Sequence, residues 1–146
     1  MKKLNGYQAI VLIALAAYGT RDKWLSELKR LDKPDTPVVE AENPFPEITA
    51  ALKADNRPVR TQQFANLFAG MAEFGVPKQA NLIGVQQCVK LAIEMLDGNT
   101  GTEAGQLAIA EFEQVIKGMP QVIDNDSRAK IAAYYRGLSI ACVEAI

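Results

Sequence analysis

The sequence predicts an all-α protein: an N-terminal hydrophobic helix, a proline-rich linker and a compact bundle of about five helices. Three observations carry this reading. Apolar residues recur at steps of three and four from Glu47 to Ile146, the period of helices that each turn one face to a core. Capping residues and prolines fall at the joints between those stretches. No stretch of strand length alternates apolar with polar residues between turn signals on both sides. The expected organisation is an anchor and basic helix over residues 1–33, a linker over 34–46 and one helical domain over 47–146, a size that buries a single core.

The first element lies between Lys3 and Arg21, where 17 uncharged residues, LNGYQAIVLIALAAYGT, include a continuous apolar or aromatic run from Ala9 to Tyr18. As a helix they cover about 25 Å, against about 30 Å for a bilayer's hydrocarbon core, so the segment barely spans. Tyr7, Tyr18 and Trp24 sit near its ends, where amphipathic rings favour the headgroup region, and the flanking Lys and Arg side chains can reach outward. Tyr7, Ile10, Val11, Ile13, Leu15, Tyr18 and Trp24 are therefore the candidate membrane or assembly contacts. The same letters suit an export signal, with MKKLNGYQ as the positive start, AIVLIALAA as the apolar region and Ala14-Leu15-Ala16 or Ala17-Tyr18-Gly19 as a cleavage site. They also suit a central helix of a soluble body, apolar on all sides. For an anchor, five basic residues after the segment against two before it favour a cytoplasmic C-terminal side.

Thr20 can cap a short helix in which Trp24, Leu25, Leu28 and Leu31 recur at helical spacing. The prolines at 34, 37, 44 and 46 then remove donors and fix φ, which makes PDTPVVEAENPFPE an extended linker or a surface-hugging arm. Pro46 opens the helix EITAALKADN, which ends before Arg57-Pro58. Phe64, Leu67, Phe68, Met71 and Phe74 form the stripe of the next helix, closed by Gly75. A third bundle helix is expected from Pro77, with Leu82, Val85, Val89, Ala92 and Leu96 at the heptad spacing of a packed seam. After DGNTGT, Thr102 caps a helix whose face holds Ala108, Phe112, Val115, Ile116 and Met119, stopped by Pro120. Asp124-Asn125-Asp126-Ser127 offers caps for the last helix, lined on one side by Ile131, Tyr134, Tyr135, Leu138, Cys142 and Ala145.

Composition narrows the function classes. With 49% hydrophobic and 23% charged residues the chain is not a disordered one. Its net charge of -1 leaves no global footprint for nucleic acid, and none is expected as a partner. The charge is unevenly placed: residues 1–33 sum to +4 and residues 34–146 to -5. A basic collar around an apolar stretch suits an anionic membrane surface, each such charge contributing about 1 kcal/mol near it. Histidine is absent, which excludes His-based acid/base catalysis, Ser-His-Asp and Cys-His nucleophiles and His-containing metal sites. Cys88 and Cys142 match no CxxC spacing and fall on apolar helix faces. Buried free thiols are expected, with a disulfide joining the two helices as the alternative.

Local motifs add little chemistry. In DGNTGTE an EF-hand would need Gly at the sixth position and an acid at the twelfth, where Thr102 and Ala108 stand. Asp124, Asn125 and Asp126 are accounted for by capping. No phosphate-loop or dinucleotide pattern is present, and Glu111 and Glu113, two apart, point to different sides of a helix. Tyr134-Tyr135-Arg136 and the Phe64, Phe68, Met71, Phe74 stripe read as core or interface. No catalytic residue, cofactor or metal is expected.

The order of parts, a short N-terminal hydrophobic segment, a proline-rich spacer and a small helical body without catalytic residues, resembles small phage-encoded or virion-associated membrane proteins of unknown function. The resemblance covers the layout and no motif. It implies a structural or accessory role in a particle or envelope, with protein partners, an oligomer or larger assembly, and membrane association through residues 4–20. Two readings stand beside it: an exported or periplasmic helical module binding a small apolar ligand, and a small enzyme using carboxylates that converge from separate helices.

Overall fold

The computed structural model describes residues 41–76, 80–97 and 101–146, apart from the side chains of Phe74, Met95, Leu96 and Asp97. The N-terminal hydrophobic helix, the helix after Thr20 and residues 34–40 of the linker lie outside the described residues. What is described is all-helical: α1 (Pro46–Asp55), α2 (Pro58–Phe74), α3 (Leu82–Asp97), α4 (Glu103–Ile116) and α5 (Asn125–Glu144). Among the described residues there is no strand, only an isolated antiparallel bridge between Asn81 and Val122.

Local chemistry sets most of the boundaries. α1 and α2 each begin with proline at the first turn, where the missing N–H is not needed. Between them Asn56 adopts the left-handed region at φ 52° and donates its amide to the Leu52 carbonyl, while Arg57, preceding a proline, is held out of the helical region at φ -121°. One continuous helix is thereby split in two. Thr102 caps α4 by accepting the Gly105 amide at 3.2 Å, and Asp124 caps α5 by accepting the Ser127 amide at 2.8 Å.

Two boundaries differ from the sequence expectation. The third helix begins at Leu82 rather than Pro77, because Asn81 accepts the Gly84 amide at 2.7 Å as its cap while the Leu82 amide donates to the Gln121 carbonyl at 3.0 Å. The fourth helix ends at Ile116, before Met119 and Pro120: Gly118 turns the chain at φ +81°, and Met119 packs against the core from outside the helix.

α5 is the centre of the molecule. Its most extensive pairing is with α2, and α1 and α4 flank it, while α3 packs on α2 and α4. Phe68, Phe112, Tyr134 and Tyr135 meet at its middle, with ring centroids 5.0 to 6.5 Å apart in tilted and edge-on pairs. Such geometry suits the ring quadrupole and adds about 0.5–1.5 kcal/mol per pair beyond area burial. Every residue from Gly137 to Cys142 is buried, so α5 is enclosed on all sides there and not only along the stripe that the sequence marks.

Candidate functional site

The features that set this bundle apart lie along α5. Three side-chain hydroxyls tie it to three different neighbours. Thr49 of α1 donates to the Ala141 carbonyl at 2.8 Å, Ser139 donates to the Ala65 carbonyl of α2 at 2.9 Å, and Tyr134 donates to the Ala108 carbonyl of α4 at 2.7 Å. All three bonds are buried. Each contributes about 0.5–1.5 kcal/mol net, and each fixes the register of α5 against one partner, because a helix sliding by a residue leaves a buried hydroxyl without its acceptor.

A second polar group closes the outer end of the same helix. The Asn43 amide donates to Thr49 Oγ1 at 2.8 Å and to Glu144 Oε2 at 2.7 Å, while Asn43 Oδ1 accepts the Phe45 amide at 2.9 Å. Between these anchors Pro44 and Phe45 lie on α5 over Gly137. A Cβ at Gly137 would stand 2.6 Å from Pro44 Cγ and 3.0 Å from Phe45 Cε2, so only glycine admits the segment so close. The Phe45 ring meets Tyr134 edge-on at 5.9 Å.

Below this seam is a hollow of about 10 Å³ lined by Ile48, Leu52, Phe64, Ala104, Gly105, Ala108, Leu138 and Cys142. That is the room of one water-sized sphere within an apolar wall, far too small for a ligand. The titratable groups here are not poised for catalysis. Burial, with the Cys142 and Glu111 charges as lesser causes, pushes the Tyr134 phenol far above its ordinary range, and burial pushes the Cys142 thiol up to about 12. Burial also raises Cys88. A neutral phenol already committed to a carbonyl and a thiol that stays protonated are poor acid, base or nucleophile.

The sequence-derived candidates divide as follows. Tyr7, Ile10, Val11, Ile13, Leu15, Tyr18 and Trp24 lie outside the described residues. Cys88 and Cys142 are both free and buried. Asp124, Asn125 and Asp126 do not converge on a cation site: Asp124 caps α5, Asn125 Oδ1 accepts from Arg128 Nη1 at 2.7 Å, and Asp126 pairs with Lys130 at 3.1 Å. Among the described residues no three Cys, Asp or Glu side chains are grouped to hold a metal ion, and no helix is long and apolar enough to cross a membrane. Phe64, Phe68 and Met71 are core, as are Tyr134 and Tyr135, with Arg136 exposed. Missing from the sequence reading are Asn43, Thr49, Gly137 and Ser139. Their signal was present in part: a hydroxyl and a glycine inside the unbroken run Gly137-Leu138-Ser139-Ile140-Ala141-Cys142 mark a helix that other backbones approach closely.

No protein-family model, curated protein or solved structure matches this chain.

Proposed function

We propose that the protein is a non-enzymatic structural or interaction protein, held by residues 4–20 in a membrane or a larger assembly of the particle or envelope kind, with its helical body presented to protein partners. The observation that carries this reading is a mismatch between the two parts of the chain. Seventeen consecutive uncharged residues need apolar surroundings. The described bundle fills its own interior, with Tyr135, Phe68, Phe112 and Leu67 fully buried and a hollow of only about 10 Å³. The +4 charge of residues 1–33 supports an anionic surface as the holder. On the body, Val59, Ile83, Leu91, Val122 and Ile146 are large apolar residues left exposed, and partners would meet the helical surface among them. The ligand-binding alternative draws no support from a hollow of one water's size.

The test is fractionation of the full chain beside a version beginning at Pro34. The reading expects the full chain in the membrane or high-mass fraction and the shortened one soluble. Both forms soluble and monomeric would overturn it.

A further inference from the structure

Where α1 gives way to α2 the chain makes a corner, and none of the residues from Lys53 to Arg60 is buried. The left-handed Asn56 and the proline at position 58 force the break, so the corner follows from local backbone chemistry. Its charge differs from that of the rest of the body. Lys53, Arg57 and Arg60 stand against Asp55 alone, whereas the remaining described residues include five basic and eleven acidic ones. Asp55 is paired with Arg57 inside the corner, and Lys53 is exposed. At the tip Val59 is 71% exposed, and of the large apolar side chains left in solvent it is the one with an arginine on either side in sequence, at 57 and 60. An apolar residue among cations suits a surface that is negative outside and oily beneath, where headgroups attract the basic side chains and the apolar one sinks past them. Neutral lipid would receive Val59 and leave the cations without partners. The acidic remainder of the body is repelled by the same surface, which selects the corner as the part turned towards it. We propose that the α1–α2 corner is a contact of the folded body with an anionic lipid bilayer, in which Lys53, Arg57 and Arg60 meet the headgroups and Val59 enters the interface. The contact rests on the membrane holding proposed above, because three cations and one valine bind weakly alone and count for a body already held at that surface.

The experiment uses the full chain with one environment-sensitive dye, attached in one sample at Val59→Cys and in another at Val122→Cys, both exposed positions; Cys88 and Cys142 are buried, and intact mass checks that a single dye is carried. Each sample is mixed with vesicles of phosphatidylcholine alone or of phosphatidylcholine with phosphatidylglycerol, and sedimentation records whether the chain is bound. The corner predicts that emission from position 59 moves to shorter wavelength on the anionic vesicles and not on the neutral ones, while emission from position 122 stays that of a dye in water. Lys53→Glu is the deciding variant, because an exposed lysine is reversed in sign without touching the core, and it loses most of the shift at 59. A chain that sediments with the anionic vesicles while its dye at 59 shifts no more than the dye at 122, or a shift that Lys53→Glu leaves whole, overturns the corner and leaves the holding role of residues 4–20 in place. A chain that stays out of the pellet overturns the corner and the membrane holding together.

Discussion

At the scale of single residues, the two thiols and the α5 cap make the clearest predictions. Cys142 is more enclosed than Cys88, at 2% against 9% exposed, so a thiol reagent on the folded chain at neutral pH modifies Cys88 first and reaches Cys142 only with denaturant. The raised Cys142 pKa also has a sign. The folded state holds the neutral thiol, so its contribution is fully present below the unfolded thiol's range, about 8.5, and is lost as pH rises from there towards 12. Urea midpoints measured across that window fall, and fall less in Cys142→Ala. Asp124 works on the acid side. Hydrogen bonds from Ser127 hold its carboxyl below the ordinary value, so its contribution is present above the unfolded carboxyl's range and is lost as pH falls through the folded one. Asp124→Asn retains a capping oxygen and flattens that acid dependence, whereas Asp124→Ala lowers the melting temperature at every pH where the native carboxylate is ionised.

At the scale of elements, the ties along α5 are separable. Ser139→Ala and Tyr134→Phe each lower unfolding free energy by about 0.5–1.5 kcal/mol, and the double variant sums the two, because the hydroxyls engage different neighbouring helices. Thr49→Val costs more than Ser139→Ala, since Asn43 loses a partner as well as Ala141 losing its donor. Leu138→Ala enlarges the hollow that Leu138 lines and costs about 2–5 kcal/mol by urea titration. These elements also show what the letters could convey. Five helices were legible because Pro46, Pro58, Thr102 and Asp124 are local signals acting on their own neighbours. The start of α3 was not, because Leu82 is set by a bond to Gln121, a contact that no local pattern encodes. The centrality of α5 was hidden for a related reason. A stretch packed on every side, as Gly137–Cys142 is, needs small residues such as Gly137 and Ala141 where backbones approach, and these dilute the one-sided stripe by which a core helix is recognised.

At the scale of the whole molecule, the described bundle buries its large aromatic and aliphatic side chains in one core, and residues 4–20 carry no charged side chain. The holding role proposed above has a sharp expectation in fractionation: the version starting at Pro34 keeps the urea midpoint of the full chain, and only the full chain enters the membrane or high-mass fraction. The Pro-rich stretch marks the boundary between appendage and body in the sequence, and within it Asn43 to Phe45 are packed on α5. The candidate contacts Tyr7 to Trp24 lie outside the described residues, so their role rests on composition and length alone. The pairing of α2 with α5 sets an order in time. Ala65 meets Ser139 across 74 positions and Thr49 meets Ala141 across 92, so a growing chain has made every other helix before the one they wrap exists. Long-range closure of this kind waits until α5 has been made. Residues 4–20 thus leave the ribosome well before the helix that completes the core of the bundle exists.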